Sequence, residues 1–403
     1  MTLEPYYEEL GITIYLGDCR DVLPTLEASS FDACLCDPPY GLTANKKGGS
    51  GVASLNERSP AGRSRIGTGG GFMGNKWDAG VPGPETWAAV YRVLKPGAFL
   101  LAFGGTLTHH RLMCAIEDAV FEIRDMLMWL YGSGFPKSLD ISKAIDKKAG
   151  AKREVTGPRV YGDGTDAAKL WDGYGTALKP AYEPIIVAMK PCEGTFAENA
   201  LRHGIAGINI EAGRIGTAES TARPSGANGT YPAGRWPANV ILNEESARLL
   251  DEQSGQSSEK PRLLHHRSAA GFVDTGGAFE TRTHGDSGGA SRFFYCAKAS
   301  KSERGDGNNH PTVKPLKLIE YLARLILPPQ GGKLLVPFSG SGSEMLGARN
   351  AGWTDVTGIE LSAKYADIAI ERLRQEVLPL EAETQQPEQM WLRFVAARRR
   401  WLI

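Results

Sequence analysis

The sequence carries no surplus of charge of either sign, with 46 basic residues against 46 acidic ones. A uniformly basic nucleic-acid binder is excluded by that balance, and any basic surface has to be local. Cysteine is scarce, and Cys19, Cys34, Cys36, Cys114, Cys192 and Cys296 include no C-x-x-C pair. Such spacing argues against a disulfide framework or a thiolate metal site and suits reduced thiols. No apolar run reaches membrane-spanning length and no secretory leader is legible, so the expectation is a cytoplasmic protein. The remainder is ordinary for a protein with a sizeable core: 41% hydrophobic and 23% charged residues over 403 positions, room for two or three domains.

Against that background one stretch stands out: Phe31-Asp32-Ala33-Cys34-Leu35-Cys36-Asp37-Pro38-Pro39-Tyr40-Gly41. Its apolar first half reads as a buried strand. Two prolines cannot donate to a ladder, so the strand must stop there, with a carboxylate, rigid carbonyls and a ring at its C-terminal tip. Ligands of open α/β sheets bind at that edge. A carboxylate (Asp37) and a carbonyl (Pro38) could accept both N–H bonds of an exocyclic amine on a nucleobase. The lone pair, otherwise delocalised into the ring, would then be freed, with Tyr40 stacked on the base. The same residues also read as a plain strand followed by a Pro-Pro turn.

Around this stretch helices and strands alternate. Thr13–Leu16 is an expected strand ending at Gly17-Asp18, with a helical segment over 22–26. A helix is expected over 84–94, a turn at Lys95-Pro96-Gly97, a strand over 98–103, a helix over 108–119, and strands over 123–131 and 183–189. The pattern predicts a mainly parallel, doubly wound sheet, the last two strands pairing antiparallel at one edge. Residues 41–71 show no periodicity but carry Lys46, Lys47, Arg58, Arg63 and Arg65 against Glu57 alone, which suits a loop touching phosphates or an idle surface loop. The stretch 191–309 is rich in Gly and Ser, and Arg235-Trp236-Pro237 and Arg292-Phe293-Phe294-Tyr295 interleave cations with rings. It reads as an inserted domain that could stack on bases and pair with phosphates, although core aromatics under snorkelling arginines explain the pattern as well. The expected division is 1–190, 191–309 and 310–378, then a tail over 379–403 ending in a basic helix with Arg398-Arg399-Arg400.

A second motif lies near the C-terminal end. Residues 331–337 read as a strand, Phe338-Ser339-Gly340-Ser341-Gly342 as a glycine turn, 343–350 as a helix, and 355–359 as a strand ending at Glu360. Glu360 follows Gly342 by 18 residues, near the spacing of an acid that holds ribose hydroxyls. Met345 stands where a dinucleotide site needs its third glycine, which weakens NAD or FAD. A cofactor with one ribose and no pyrophosphate needs no such cradle, and S-adenosylmethionine fits.

Taken together, Leu16-Gly17-Asp18-Cys19, Asp37 to Gly41, Arg92-Val93-Leu94-Lys95-Pro96-Gly97, Asn309 to Pro315, Pro337 to Gly342 and Gly358-Ile359-Glu360 resemble the amino-directed DNA methyltransferases. The order is that of the circularly permuted β-class, in which the DPPY segment precedes a target-recognition domain and the cofactor loop comes last. The resemblance spans roughly 12–373 and implies a Rossmann-like methyltransferase sheet. It implies that Asp18, with Cys19 beside it, meets the cofactor adenine. Glu360, flanked by Leu361, would take the ribose, and Phe338 to Gly342 the methionine moiety. Thr312 and Lys314 would close that pocket, which Asp37 would also touch, and Asp37, Pro38, Pro39 and Tyr40 would receive a flipped base. One departure is that Val336 replaces the usual acid before Pro-Phe; Glu344 is the candidate substitute.

The implied reaction is methyl transfer to adenine N6 of double-stranded DNA by a homodimer, with no metal. Three alternatives stay open: cytosine N4 as the target, an RNA or glutamine-amide methyltransferase, and a DNA-binding protein with a decayed site, for which Val336 is the motive. A cytosine-C5 enzyme would need a cysteine nucleophile, and Pro191-Cys192 is expected to lie far from the cofactor motifs. A partner restriction endonuclease is not legible in the sequence.

Overall fold

The computed structural model describes residues 3–41, 80–132, 134, 138–157, 160–216, 234–258, 263–266, 279–282, 287–297 and 314–375. Ten strands form the main sheet: β1 Tyr7–Glu9, β2 Ile12–Leu16, β3 Phe31–Cys36, β4 Leu94–Phe103, β5 Glu122–Leu130, β6 Tyr182–Met189, β7 Val240–Asn243, β8 Tyr295–Ala297, β9 Lys333–Val336 and β10 Asp355–Glu360. In space they run β1-β2-β10-β9-β3-β4-β6-β5-β7-β8. Pairing is parallel from β2 through β4 and again from β5 through β8. Strand β6 runs antiparallel to both its neighbours, and β1 forms a hairpin with β2.

Helices α1 Pro84–Val93, α2 His109–Asp118, α3 Ile141–Lys148, α4 Phe196–His203, α5 Glu244–Ser254, α6 Leu316–Leu325 and α7 Ser343–Ala351 are joined by an eighth, α8, over 363–375. They cover both faces, as a parallel sheet requires. Ala33 and Leu35 of β3 point into a core shared with α6, α7 and α8. Cys34 and Cys36 alternate to the other face, where Trp87 and Val90 of α1 and Leu112 and Ile116 of α2 cover them. The two thiols are therefore packing groups, as their i, i+2 spacing suggests. The one acid inside β3, Asp32, is satisfied by Lys95 Nζ at 2.5 Å and the Lys333 backbone N–H at 2.7 Å.

Three expectations need correction. The antiparallel strand β6 is interior, not at an edge, because β5, β7 and β8 extend the sheet beyond it. β7 and β8 come from the 191–309 segment, so part of it belongs to the main sheet; at four and three residues they are too short to show alternation. Lys95-Pro96-Gly97 is not a turn between helix and strand: β4 already starts at Leu94 and bulges there, Phe31 pairing with Leu94 and Ala33 with Phe99. Gly97 takes φ +80°, and a Cβ on it would come 2.3 Å from the amide of Asn199, which is fully buried and donates to the Pro96 carbonyl at 2.9 Å. The tail over 379–403 lies outside the described residues.

Candidate active site

Strands β3 and β9 are neighbours, with Ala33 opposite Leu334 and Cys34 opposite Leu335. Because the pair is parallel, Asp37-Pro38-Pro39-Tyr40 and Phe338–Gly342 leave the sheet side by side at its C-terminal edge, although about 300 positions separate them in sequence. The strand order thus brings the two motifs together at one edge.

On the glycine-loop side, Gly340 and Gly342 take φ +49° and +82°, and the Gly342 N–H closes the turn on the Ser339 carbonyl at 2.8 Å. A Cβ on Gly342 would stand 2.9 Å from that of Ala369 in α8. Gly342→Ala is therefore expected to cost about 1–3 kcal/mol of stability through the left-handed backbone and the close approach, read as a lower denaturation midpoint. Glu360, at the tip of β10, accepts from the Gly340 and Ser362 backbone N–H groups, each at 2.8 Å. Burial pushes its carboxyl up, against the pull of those N–H groups. Each oxygen keeps a lone pair for a further donor such as a hydroxyl. Ser339 and Ser341 are buried, and Arg372 of α8 donates to the Ser341 carbonyl at 2.5 Å, holding the loop from behind. Phe338 sets its ring edge against Trp87, centroids 6.2 Å apart.

Asp18 reaches the same edge because β2 pairs with β10, Leu16 opposite Glu360, and the Gly17 N–H donates to the Glu360 carbonyl at 2.8 Å. Its carboxylate caps the turn Cys19–Val22 through the Arg20 N–H and also accepts from the Arg20 guanidinium at 2.6 Å, which lowers its pKa. The Cys19 thiol is buried and, chiefly for that reason, pushed up to about 12, so it is no nucleophile. Leu361, beside Glu360, is exposed. Glu344 sits in the first turn of α7, 5% exposed, and its own backbone N–H donates to its carboxyl. Burial, then the charge of Asp37, raises it to about 7. Val336, where the acid was missing, is fully buried in the core.

On the other side of the edge Asp37 is not alone. Lys314 Nζ lies 2.9 Å from Asp37 Oδ2, 3.0 Å from Glu183 Oε2 and 3.0 Å from the Tyr40 hydroxyl, which itself donates to Glu183 at 3.1 Å. Asp37 Oδ1 is buried without a hydrogen-bond partner among the described residues. Burial raises the Asp37 pKa although Lys314 pulls it down, and burial raises that of Tyr40 too. Burial disfavours the ammonium of Lys314, but Asp37 and Glu183 outweigh it, so the lysine stays charged. Pro38 is buried and Pro39 half-buried, and the Tyr40 carbonyl accepts from the Thr108 hydroxyl at 2.7 Å, which pins the segment.

Lys314 therefore faces the acid expected to meet the base. Glu183 was missed altogether. It opens an apolar strand, and only the reversed direction of β6 carries its start to the C-terminal edge of β3 and β4. An acid at the head of an otherwise apolar strand was the available signal. Cys192 follows the far end of β6 and so lies at the opposite edge, as its dismissal requires.

Arg235, Trp236 and Arg292 do not join the site. They precede β7 and β8, on the side where parallel strands begin. Both guanidinium groups lie over the Phe293 ring, at 4.9 and 4.3 Å, and Arg292 donates to the Gly288 and Gly289 carbonyls. Trp236 is exposed with Arg214 over it. Lys46, Lys47, Arg58, Arg63, Arg65 and Thr312 lie outside the described residues. Among the described residues no cluster of three metal-ligating side chains exists, and no helix is long and apolar enough to cross a membrane.

The family model of DNA methylases acting at N6 and N4 matches residues 31–371. The type II methyltransferase M.HindIII of Haemophilus influenzae is 27% identical over 217 residues, covering 49% of this chain and 64% of that protein, so the chain spans less than two thirds of this relative. A DNA modification methylase of Thermus thermophilus aligns over 90% of this chain and 95% of its own at 15% identity, TM-score 0.41. Its form complexed with S-adenosyl-L-methionine aligns at 16% identity, TM-score 0.39, over 90% and 95%. The cytosine-N4-specific PvuII DNA methyltransferase aligns over 92% and 88% at 13% identity, TM-score 0.45.

Proposed function

We propose that this chain, which belongs to the N6/N4 family of DNA methylases, moves a methyl group from S-adenosylmethionine to the N6 amine of an adenine flipped out of duplex DNA. The single observation that carries the reading is the pairing of β3 with β9, which sets the acceptors of Asp37-Pro38 beside the loop Phe338–Gly342. The motif order supports the permuted β-class, and an Asp before Pro-Pro-Tyr favours adenine over cytosine N4.

The residues present fit the cofactor. Glu344 is a buried carboxyl in the first turn of the helix that follows the glycine loop, the complement of an ammonium group. Glu360, Asp18 and the turn from Ser339 to Gly342 gather around one strand end, with no room for a Cβ on Gly342. Bound there, S-adenosylmethionine supplies an electrophilic methyl carbon. The chain's own task is at the amine. Asp37 and the Pro38 carbonyl accept its N–H bonds and favour a pyramidal nitrogen, and Tyr40 stacks on the base, returning about 1–3 kcal/mol of the cost of flipping. After transfer the nitrogen has a proton to lose, and Asp37, already accepting one of its N–H bonds, is the nearest acceptor.

The test is incubation of the purified chain with tritiated S-adenosylmethionine and unmethylated genomic DNA, followed by nucleoside analysis. N6-methyladenine is expected. N4-methylcytosine instead would move the target to the amine of the other base, and no label in DNA would refute the reading.

A further inference from the structure

An ammonium placed against the acid that should hold the target amine calls for its own account. Nζ has three protons, and in the protein without DNA they go to Asp37 Oδ2, Glu183 Oε2 and the Tyr40 hydroxyl, all within 3.0 Å. The side chain is 5% exposed, wedged between the Tyr40 and Phe103 rings at 5.1 and 4.9 Å. One lysine shared between two acids is more than a buried ion pair needs.

Building on the proposed function, we propose that Asp37 and Lys314 together read the target base, with Glu183 as the positioning residue that holds the ammonium in place. Adenine and cytosine share one edge: an exocyclic amine that donates, next to a ring nitrogen that accepts, N6 with N1 or N4 with N3. Its complement is an acceptor next to a donor. Asp37 Oδ2 and Lys314 Nζ, 2.9 Å apart, are such a pair. When the amine takes Asp37, Lys314 stays charged on Glu183 and turns the proton it gave Asp37 towards the ring nitrogen. Guanine and thymine carry a carbonyl and an N–H in these positions, the reverse order. Each would set an oxygen against a carboxylate and a proton against an ammonium. Lys314 thus serves the free protein as the temporary partner of a buried acid, and the complex as the reader of the ring nitrogen.

The experiment uses the full chain and duplexes carrying its own site, found by sequencing methylated DNA, with the target adenine replaced by 1-deazaadenine, which keeps the amine and lacks N1. 7-Deazaadenine, altered away from this edge, is the control; for a cytosine target 3-deazacytosine takes the first role. Wild type is expected to methylate the 1-deaza duplex about ten- to a hundredfold more slowly, the worth of a hydrogen bond to a charged group, and the 7-deaza duplex at nearly the normal rate. Lys314→Met should lose a similar factor on normal DNA and little more on the 1-deaza duplex. Glu183→Gln should lower kcat and show a reduced 1-deaza penalty, with KM for S-adenosylmethionine unchanged. Equal wild-type rates on both duplexes, or penalties that multiply in Lys314→Met, overturn the inference. The wild-type series decides the question even if Lys314→Met does not fold. Failure of wild type on unmodified DNA would instead refute the reading beneath it.

Discussion

Asp37→Ala is expected to slow methyl transfer by about a thousandfold while DNA affinity stays within a few-fold of the parent; single preorganised groups at reacting centres are worth factors of this size. The folded chain should tolerate the change. Burial raises the pKa of Asp37, so its ionised form is held at a cost in the native state, and alanine removes that cost. Lys314 is not orphaned, since Glu183 at 3.0 Å and the Tyr40 hydroxyl at 3.0 Å remain. The variant therefore separates chemistry from folding better than Lys314→Met, which leaves Asp37 and the half-buried Glu183 without the cation between them. Single-turnover transfer of tritiated methyl groups measures the loss, and gel-shift titration on the same DNA measures affinity. Turnover equal to the parent's would remove Asp37 from the mechanism.

The sequence disclosed those parts of the site that are local. A strand ending in Asp37-Pro38-Pro39-Tyr40, a glycine turn with an acid 18 residues on, and the helices over 84–94, 108–119 and 343–350 each follow from neighbours along the chain and lie where expected. The helical segment expected over 22–26 is instead a short helix over Cys19–Val22 and a 3-10 turn over Leu23–Thr25. The adjacency of β3 and β9 is not local, yet two motifs that need one ligand between them implied it. Glu183 had no such support. Its position depends on the direction of β6, which is set by long-range pairing with β4 and β5. The same pairing explains why β6 could not be recognised as interior: what lies beyond it, β7 and β8, contributes seven residues in two short pieces. Lys314 was assigned by analogy to the cofactor pocket; its contacts with Asp37 and Glu183 were not foreseen, because they depend on the reach of a four-carbon stem across elements distant in sequence.

Glu344→Gln is the sharper test of how a loop without its usual acid holds a cofactor, and pH gives it a sign. The free carboxyl, ordinarily near 4.5, is raised to about 7 by burial and then by Asp37. The native state therefore binds this proton more tightly than the unfolded chain does. Its stability is highest below about pH 4.5 as far as this group is concerned, falls as pH rises to about 7, and is level above. Glutamine abolishes that fall, so the variant should be more stable than the parent at pH 8, by an amount on the order of 1–3 kcal/mol. Binding should move the other way. An ammonium group favours the ionised carboxylate, so the parent must release a proton to bind below about pH 7, and its affinity for S-adenosylmethionine should fall towards tenfold per pH unit there. The variant should bind about ten- to a hundredfold more weakly at pH 8 and lose that pH dependence. Calorimetry in buffers of different ionisation enthalpy reads both the affinity and the proton. 5′-Methylthioadenosine, which lacks the amino acid end, should bind parent and variant alike. A variant that is stabilised at pH 8 yet binds S-adenosylmethionine as well as the parent would show that the carboxyl is buried but is not the ammonium's partner. The replacement of the acid by Val336 would then stand uncompensated by this residue.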